Sequence, residues 1–492
     1  MNRTVCLLAW RSLWDRPRRA LALLCGYGVG VAVMIALLSV GDALLMQARD
    51  RDLAAGGDIV LLPEGVDPAV LKINGVTDLY FTIQEAGFVT REVLRGPRFG
   101  SAVAAAAPQI GGQQVYVRLR QRVLPALASA GIPSLDQAAH AAPGVPGAGD
   151  TIADRSWMDP APAELLNRLD RFHVPPPQAR PAWAEWDYFN FIEPASGTYG
   201  YLTILAGGGG RGVLSVRLKR PGQKAEDVAI PAALHPGDLA FDSADQRVGP
   251  ARVRNMGGRY HITITDPRAR ADLWVTPEPG YYLPPGESVA DGVISGYVVP
   301  VLRGWVSGVV RTPRVALRLD HAPAYHDHNW GTWRGVTWEW GEGGGEEGAV
   351  LYGGLHVSPT RSAIAGRSSV LLVWEPSRQD GHAGGGFLGA FPVQAIRYAG
   401  WHPGPMLGGS RVPVPSSATI EARVGADEVR LLLRVQDVLA SMRPLSAARP
   451  PVVAPAAFLQ MRGTMEVRGT VDGRPVRIAG RAAAETFVDV PR

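Results

Sequence analysis

Tyr325-His326-Asp327-His328-Asn329-Trp330-Gly331, with Trp338-Glu339-Trp340-Gly341 close behind it, is the densest polar and aromatic stretch of the chain. In an extended backbone, successive side chains point to opposite faces. Tyr325, Asp327 and Asn329 then share one face, His326, His328 and Trp330 share the other, and Trp338 and Trp340 stand together. Aromatic walls beside a short polar row suit a β-barrel interior that holds an apolar ligand. An aspartate in such surroundings has its pKa raised by desolvation and can act as a general acid. The same residues also fit a polar network that braces the barrel, with Asp327 and Asn329 bonded to loop backbone. A third reading is a metal site, in which His321 or His356 joins His326 and His328 around zinc. A lone His-x-His is a weak motif, so no metal and no cofactor are expected.

Around this stretch, from Trp183 onward, short alternating runs are separated by Gly, Pro, Asp and Asn turns. Tyr199 to Leu205, Val213 to Leu218, Val293 to Val299, Val350 to Val357 and Val429 to Val435 are examples. Many short strands at regular spacing indicate a sandwich or barrel. About 310 residues exceed one small barrel, so two packed β units are expected, over residues 182–358 and 359–492. The helical-looking interruption is near Val435 to Met442.

The first 181 residues read differently. Ala20 to Gly41 carries no charge and is long enough to cross a bilayer as a helix. Arg11, Arg16, Arg18 and Arg19 precede it, and Asp42, Asp50, Asp52 and Asp58 follow. The positive-inside rule then places residues 1–19 in the cytosol, 20–42 across the inner membrane as a single span, and the bulk of the chain in the periplasm. Residues 43–138 mix helical and strand patterns and read as a small α+β segment. Residues 139–181 are rich in Pro, Ala and Gly and read as a linker. One span cannot line a transport path. Cys6 and Cys25 are the only cysteines of the 492 residues, which excludes a disulfide framework or a Cys-based zinc site beyond the apolar segment. The net charge is only +5, and no Arg-rich stripe interleaved with aromatics occurs, so no nucleic-acid partner is expected.

The Tyr325–Gly331 block and Trp338-Glu339-Trp340-Gly341 resemble the signature of the carotenoid 1,2-hydratase (hydroxyneurosporene synthase) and AttH family. Trp186-Asp187-Tyr188-Phe189-Asn190, Gly296-Tyr297, Gly304-Trp305-Val306-Ser307-Gly308 and the closing GTMEVRGTVDGRPVRIAGRAAAE (463–485) extend the likeness over about residues 183–490. The resemblance implies two lipocalin-like antiparallel β-barrel halves. It implies an acid at Asp327, assisted by Tyr325, that protonates an isoprenoid C=C bond before water captures the cation. It also implies a ligand lined by His326, His328, Asn329, Trp330, Trp338, Trp340, Trp305 and Tyr297. Residues 1–120, with LLAWRSLWDRPRRALALL (7–24) and AAGGDIVLLPEG (54–65), resemble the start of a MacB/FtsX-type ABC transporter permease without its three further helices. Together these give a mainly β fold preceded by one transmembrane helix and a small α+β segment. The expected function is a membrane-anchored lipocalin-like protein that binds an apolar isoprenoid or lipid, with an ABC transporter ATPase or permease as partner. The alternative is a carotenoid 1,2-hydratase-like hydro-lyase.

Overall fold

The computed structural model describes residues 59–63, 81–119, 122–139, 149–290, 293–333, 336–357, 369–376, 386–442 and 456–489. The Ala20–Gly41 run lies outside them, as does most of the segment that resembles a permease. Among the described residues no helix is long and apolar enough to cross a membrane. The chain divides into two compact units, residues 1–81 with 105–150, and residues 82–104 with 151–492. In the first, β1 (Gln109–Leu119) and β2 (Arg122–Gly131) form an antiparallel hairpin, followed by the short helix Pro133–Ala138.

The second unit carries three helices that precede its sheets. Helices Ile83–Arg95 and Ile152–Met158 begin with capping boxes, Thr82 with Glu85 and Thr151 with Asp154, which satisfy backbone N–H groups that a helix start leaves open. Helix Pro162–Leu169 starts on proline, whose fixed φ suits a first turn, and buries Leu166 and Leu169. Residues 83–95 therefore belong with the β structure, where Phe88 packs edge-on against Tyr282 and Phe387. Part of the expected 139–181 linker is helix, Ile152–Met158 and Pro162–Leu169, and the second of these turns Leu166 and Leu169 onto the sheet.

Next come β3 (Trp183–Ile192), β4 (Tyr199–Gly207), β5 (Arg211–Lys219), β6 (Glu226–Ala233), β7 (Asp245–Val248) and β8 (Ala251–Asn255). They continue with β9 (Tyr260–Asp266), β10 (Ala269–Pro277), β11 (Leu283–Ala290), β12 (Val293–Arg311) and β13 (Ala316–Thr332). All pair in one 11-stranded antiparallel sheet of order β6-β5-β4-β3-β13-β12-β10-β9-β8-β7, with β11 also on β12. Alternate residues, among them Phe189, Phe191, Leu202, Ile204, Leu214 and Ile262, form the core around which the sheet curls. The first half is thus an open sheet rather than the hydrogen-bond-closed barrel expected from the sequence.

β14 (Val336–Gly345), β15 (Gly348–Val357), β16 (Val370–Glu375), β17 (Gly386–Ala399), β20 (Ser417–Val424), β21 (Asp427–Met442), β22 (Ala456–Val471) and β23 (Arg474–Asp489) close into an eight-stranded barrel. β18 (His402–Leu407) and β19 (Ser410–Val414) make a separate hairpin. An eight-stranded barrel leaves an interior that side chains can fill. Here Tyr352, Leu371, Phe391, Met461 and Met465 are among those that do. Two expectations need correction. Residues 336–357 belong to this barrel rather than to the first half, because β14 pairs with β23 nearly 150 residues later in the chain, a partner that local alternation cannot reveal. Val435 to Met442 is strand rather than helix. A register shift between Val435 and Asp437 interrupts the two-residue period and mimics a helical pattern.

A third core joins the two β bodies. The outward faces of β3, β4, β12 and β13 supply Trp186, Tyr188, Tyr199, Tyr201, Val299 and Tyr325. The outer wall of the barrel supplies Trp340, Leu351, Leu372, Trp374 and Ala483. Burial of each large apolar side chain contributes about 1.5–3 kcal/mol, so this aromatic seam is a substantial part of the fold.

Candidate functional site

β13 lies between β3 and β12, and its pairing fixes what each side chain meets. Asp327 stands opposite Tyr188, Asn329 opposite both Trp186 and Tyr297, and His328 opposite Asp187 and Val298. Side chains alternate along the strand as the sequence implies. Tyr325, Asp327 and Asn329 enter the seam between the two bodies, while His326 and His328 turn the other way toward Asp170 and Trp330 packs on that side with Phe88, Leu169 and Val298.

On the seam face, the Asp327 carboxylate is 4% exposed. Its Oδ2 accepts hydrogen bonds from Tyr325 Oη at 2.8 Å and Tyr297 Oη at 3.3 Å, and its Oδ1 accepts from Asn329 Nδ2 at 2.8 Å. The two phenol oxygens are 2.7 Å apart, and Trp340 Nε1 donates to Tyr297 at 3.0 Å. These three oxygens form a triangle, and either phenol can be the donor on the edge that the two share. Burial pushes the Asp327 carboxyl well above its ordinary value, against the lowering effect of the Tyr325 hydrogen bond, and the Glu485 carboxylate adds to the rise. Burial, reinforced by the nearby Asp327 charge, also raises both phenols. Burial thus favours the protonated form of Asp327, in an aromatic wall, with donors in place for the anion it becomes on giving up its proton. Tyr188 and Tyr325 meet the Trp340 ring edge-on, at 5.8 and 5.3 Å between centroids.

The seam continues into a polar patch. Arg462, on the barrel wall, lies over the rings of Tyr199 and Tyr201 and donates to Asn190 Oδ1 at 3.0 Å. Glu342, 3.9 Å from that guanidinium, is pushed up to about 7 by burial. Glu485 accepts from Trp338 Nε1 at 2.9 Å and from Gln460 at 2.8 Å.

The opposite face of β13 carries a second constellation. His328 directs Nδ1 to Asp170 Oδ1 at 2.6 Å and Nε2 to Glu185 Oε1 at 3.0 Å. His326 directs Nε2 to Asp170 Oδ2 at 2.9 Å and Nδ1 to the Tyr188 carbonyl at 3.1 Å. Burial works against the His328 charge, but Asp187, Asp170 and Glu185 outweigh it and hold the imidazole well above its usual range. The Asp170 carboxyl, which burial alone would raise, is held low by the two imidazoles. Asp187 is raised, first by burial and then by the Asp170 charge.

Of the residues singled out in the sequence, the structure brings Tyr297, Tyr325, Asp327, Asn329 and Trp340 into one cluster. Trp338 lines the same seam, against Trp333, Phe458 and Phe487. Trp330 stacks on His173 at 4.0 Å and donates to Glu287, on the face away from Asp327. Trp305 stacks on His321 at 4.3 Å, and among the described residues His321 gathers with neither His326 nor His328 around a common point. Asp327 and Asn329 bond side chains rather than loop backbone, so the bracing network is realised through Tyr297 and Tyr325. Asp170, Glu185, Asp187 and Arg462 were missed. Glu185 and Asp187 carry one signal, a two-residue spacing in β3 that matches His326 and His328, but their pairing with β13 spans some 140 residues.

No protein-family model matches the chain, and no curated protein matches its sequence. Among solved structures, a protein described as an AttH from Nitrosomonas europaea is 15% identical, with 66% of this chain and 98% of that one covered and a TM-score of 0.43. CghA is 12% identical over 66% of this chain and 95% of its own, with a TM-score of 0.45. Kievitone hydratase from Nectria haematococca is 10% identical over 65% and 97%, with a TM-score of 0.38. Likenesses this low carry no argument about chemistry, and none supports the transporter-permease resemblance of the first 120 residues.

Proposed function

We propose that this protein is an acid catalyst that hydrates a C=C bond of an apolar, isoprenoid-type substrate at the seam between its two β bodies. The observation that carries this is Asp327, a buried carboxyl group hydrogen-bonded by two phenols and an amide inside an aromatic wall, where burial favours its protonated form. In the reaction, the Asp327 proton bonds to one alkene carbon and leaves a carbocation at the other. The resulting carboxylate keeps its donors from Tyr325, Tyr297 and Asn329. Water oxygen then bonds to the cation, and its surplus proton returns to Asp327, so the net change is the addition of one water. The cleft of about 320 Å³ bordered by Asp227, Arg268 and Arg314 involves none of these residues, and its charged rim does not suit an apolar ligand.

The uncharged Ala20–Gly41 run supports a tether at the inner membrane, where such a substrate dissolves. The test is incubation of the detergent-purified chain with acyclic polyenes, read by mass spectrometry for a product heavier by one water. Asp327→Asn, which keeps the side chain's shape, is expected to lower turnover by about 100-fold or more, the usual scale of general acid catalysis. Product formation unchanged in that variant would overturn the proposal.

A further inference from the structure

We propose that Asp170, Asp187 and His328 hold a divalent cation of the zinc or manganese kind, with Gln246 completing the ligands, behind the strand that carries Asp327. The oxygen and nitrogen atoms of the first three lie within 4.8 Å of one another, and all three residues are buried. His328 Nδ1 is 2.6 Å from Asp170 Oδ1 and 3.6 Å from Asp187 Oδ1. Two acceptors here lack a hydrogen bond. Asp187 Oδ1 and Gln246 Oε1 are each without a hydrogen bond, in residues only 1% and 3% exposed. Both residues line the same narrow void as Asp170, and that void does not admit a water molecule.

A buried acceptor left unmade costs about 1–3 kcal/mol, and two around one void call for a shared donor or a cation. Water is too large, whereas a bare divalent ion ligated directly is smaller. One imidazole nitrogen with carboxylate and amide oxygens is a mixed set that suits zinc or manganese better than a soft-metal site. The surroundings are also those of a metal-bound histidine. His328 turns its other nitrogen to Glu185, the carboxylate–histidine arrangement that orients such a ligand. His326 Nε2 holds the second oxygen of Asp170 in the same way. Asp170 is the cap residue after helix Pro162–Leu169, so the ion would clip that helix to β3 and β13.

The test uses the full-length chain, purified in detergent and stripped with a chelator. Mn2+ is added and followed by electron paramagnetic resonance, and Zn2+ by competition with a chromophoric chelator. One ion per chain is expected. Asp187→Asn and Gln246→Leu, each shown folded by circular dichroism, should weaken binding about tenfold or more. His173→Ala should leave it unchanged, because the neighbouring set of His173, Glu185 and His328 is not the one proposed. X-ray absorption on the wild-type zinc form, which needs no variant, should show one imidazole among oxygen ligands. The proposal is overturned if neither ion binds the folded wild-type chain, as when the Gln246 amide is turned to donate to Asp187. It is equally overturned by an all-oxygen shell, by loss of binding in His173→Ala, or by full affinity in both Asp187→Asn and Gln246→Leu. Turnover by Asp327 is a separate readout, so failure of either proposal leaves the other standing.

Discussion

Asp327 has no cation beside it among the described residues, and its three hydrogen bonds come from neutral donors. Burial dominates, so the folded chain keeps the Asp327 proton at pH values where the unfolded chain has lost it. The sign of the pH dependence follows. The stabilising contribution is fully present below the unfolded value of about 3.9 and is lost as pH rises through the higher folded one. Asp327→Asn has no proton to lose there. Urea denaturation near pH 5 and near pH 8 should therefore show the wild type's stability falling relative to the variant as pH rises. A gap that stays constant would mean that Asp327 titrates normally. Much of this was legible in the sequence, because the alternation of Tyr325, Asp327 and Asn329 follows from strand geometry alone. Asp170 was not, because it reaches His326 and His328 from a helix end more than 150 residues earlier.

β13 works as a two-sided element, with the acid on one face and the histidines on the other, and its register decides which face each residue takes. A slip of one residue would exchange the two sets. One glycine on its neighbour protects that register. A Cβ at Gly296 would lie 1.8 Å from the Trp330 ring, whose indole covers the glycine and donates to Glu287. Gly296→Ala is expected to cost about 1–3 kcal/mol by overpacking, with loss of the Trp330–His173 stack. Thermal melting together with tryptophan fluorescence would check this, and an unchanged melting temperature would refute it. At this scale the sequence shows strands well and their partners poorly. Trp338-Glu339-Trp340 alternates as any strand does, yet nothing local says that Glu485 stands opposite Trp340 and draws β14 into the second barrel.

The molecule places its candidate acid between the two β bodies rather than inside either, while the buried His326–His328–Asp170 cluster lies on the other face of β13. The first sheet and the closed barrel each have an apolar core, and the seam between them holds Asp327, Arg462, Glu342 and Glu485. Arg462 reaches across it to Asn190 and to the rings of Tyr199 and Tyr201. Arg462→Ala removes that link and leaves Glu342 without its cation, so about 3–5 kcal/mol of stability should go, measured by urea denaturation. A loss under about 1 kcal/mol would show that the two bodies hold together without it. Two barrels were expected from the sequence, with the ligand inside one. The structure keeps two β bodies but moves the acid to their shared wall, because Tyr188, Tyr325 and Trp340 face outward from sheets whose inner faces are already filled.

The protonation state of Asp327 is measured most directly by infrared spectroscopy of the wild type against Asp327→Asn near neutral pH. A neutral acid predicts a carboxylic C=O stretching band that shifts in heavy water and is missing from the variant. If the difference spectrum instead shows only the symmetric and antisymmetric stretches of a carboxylate, Asp327 is ionised and cannot be the proton donor.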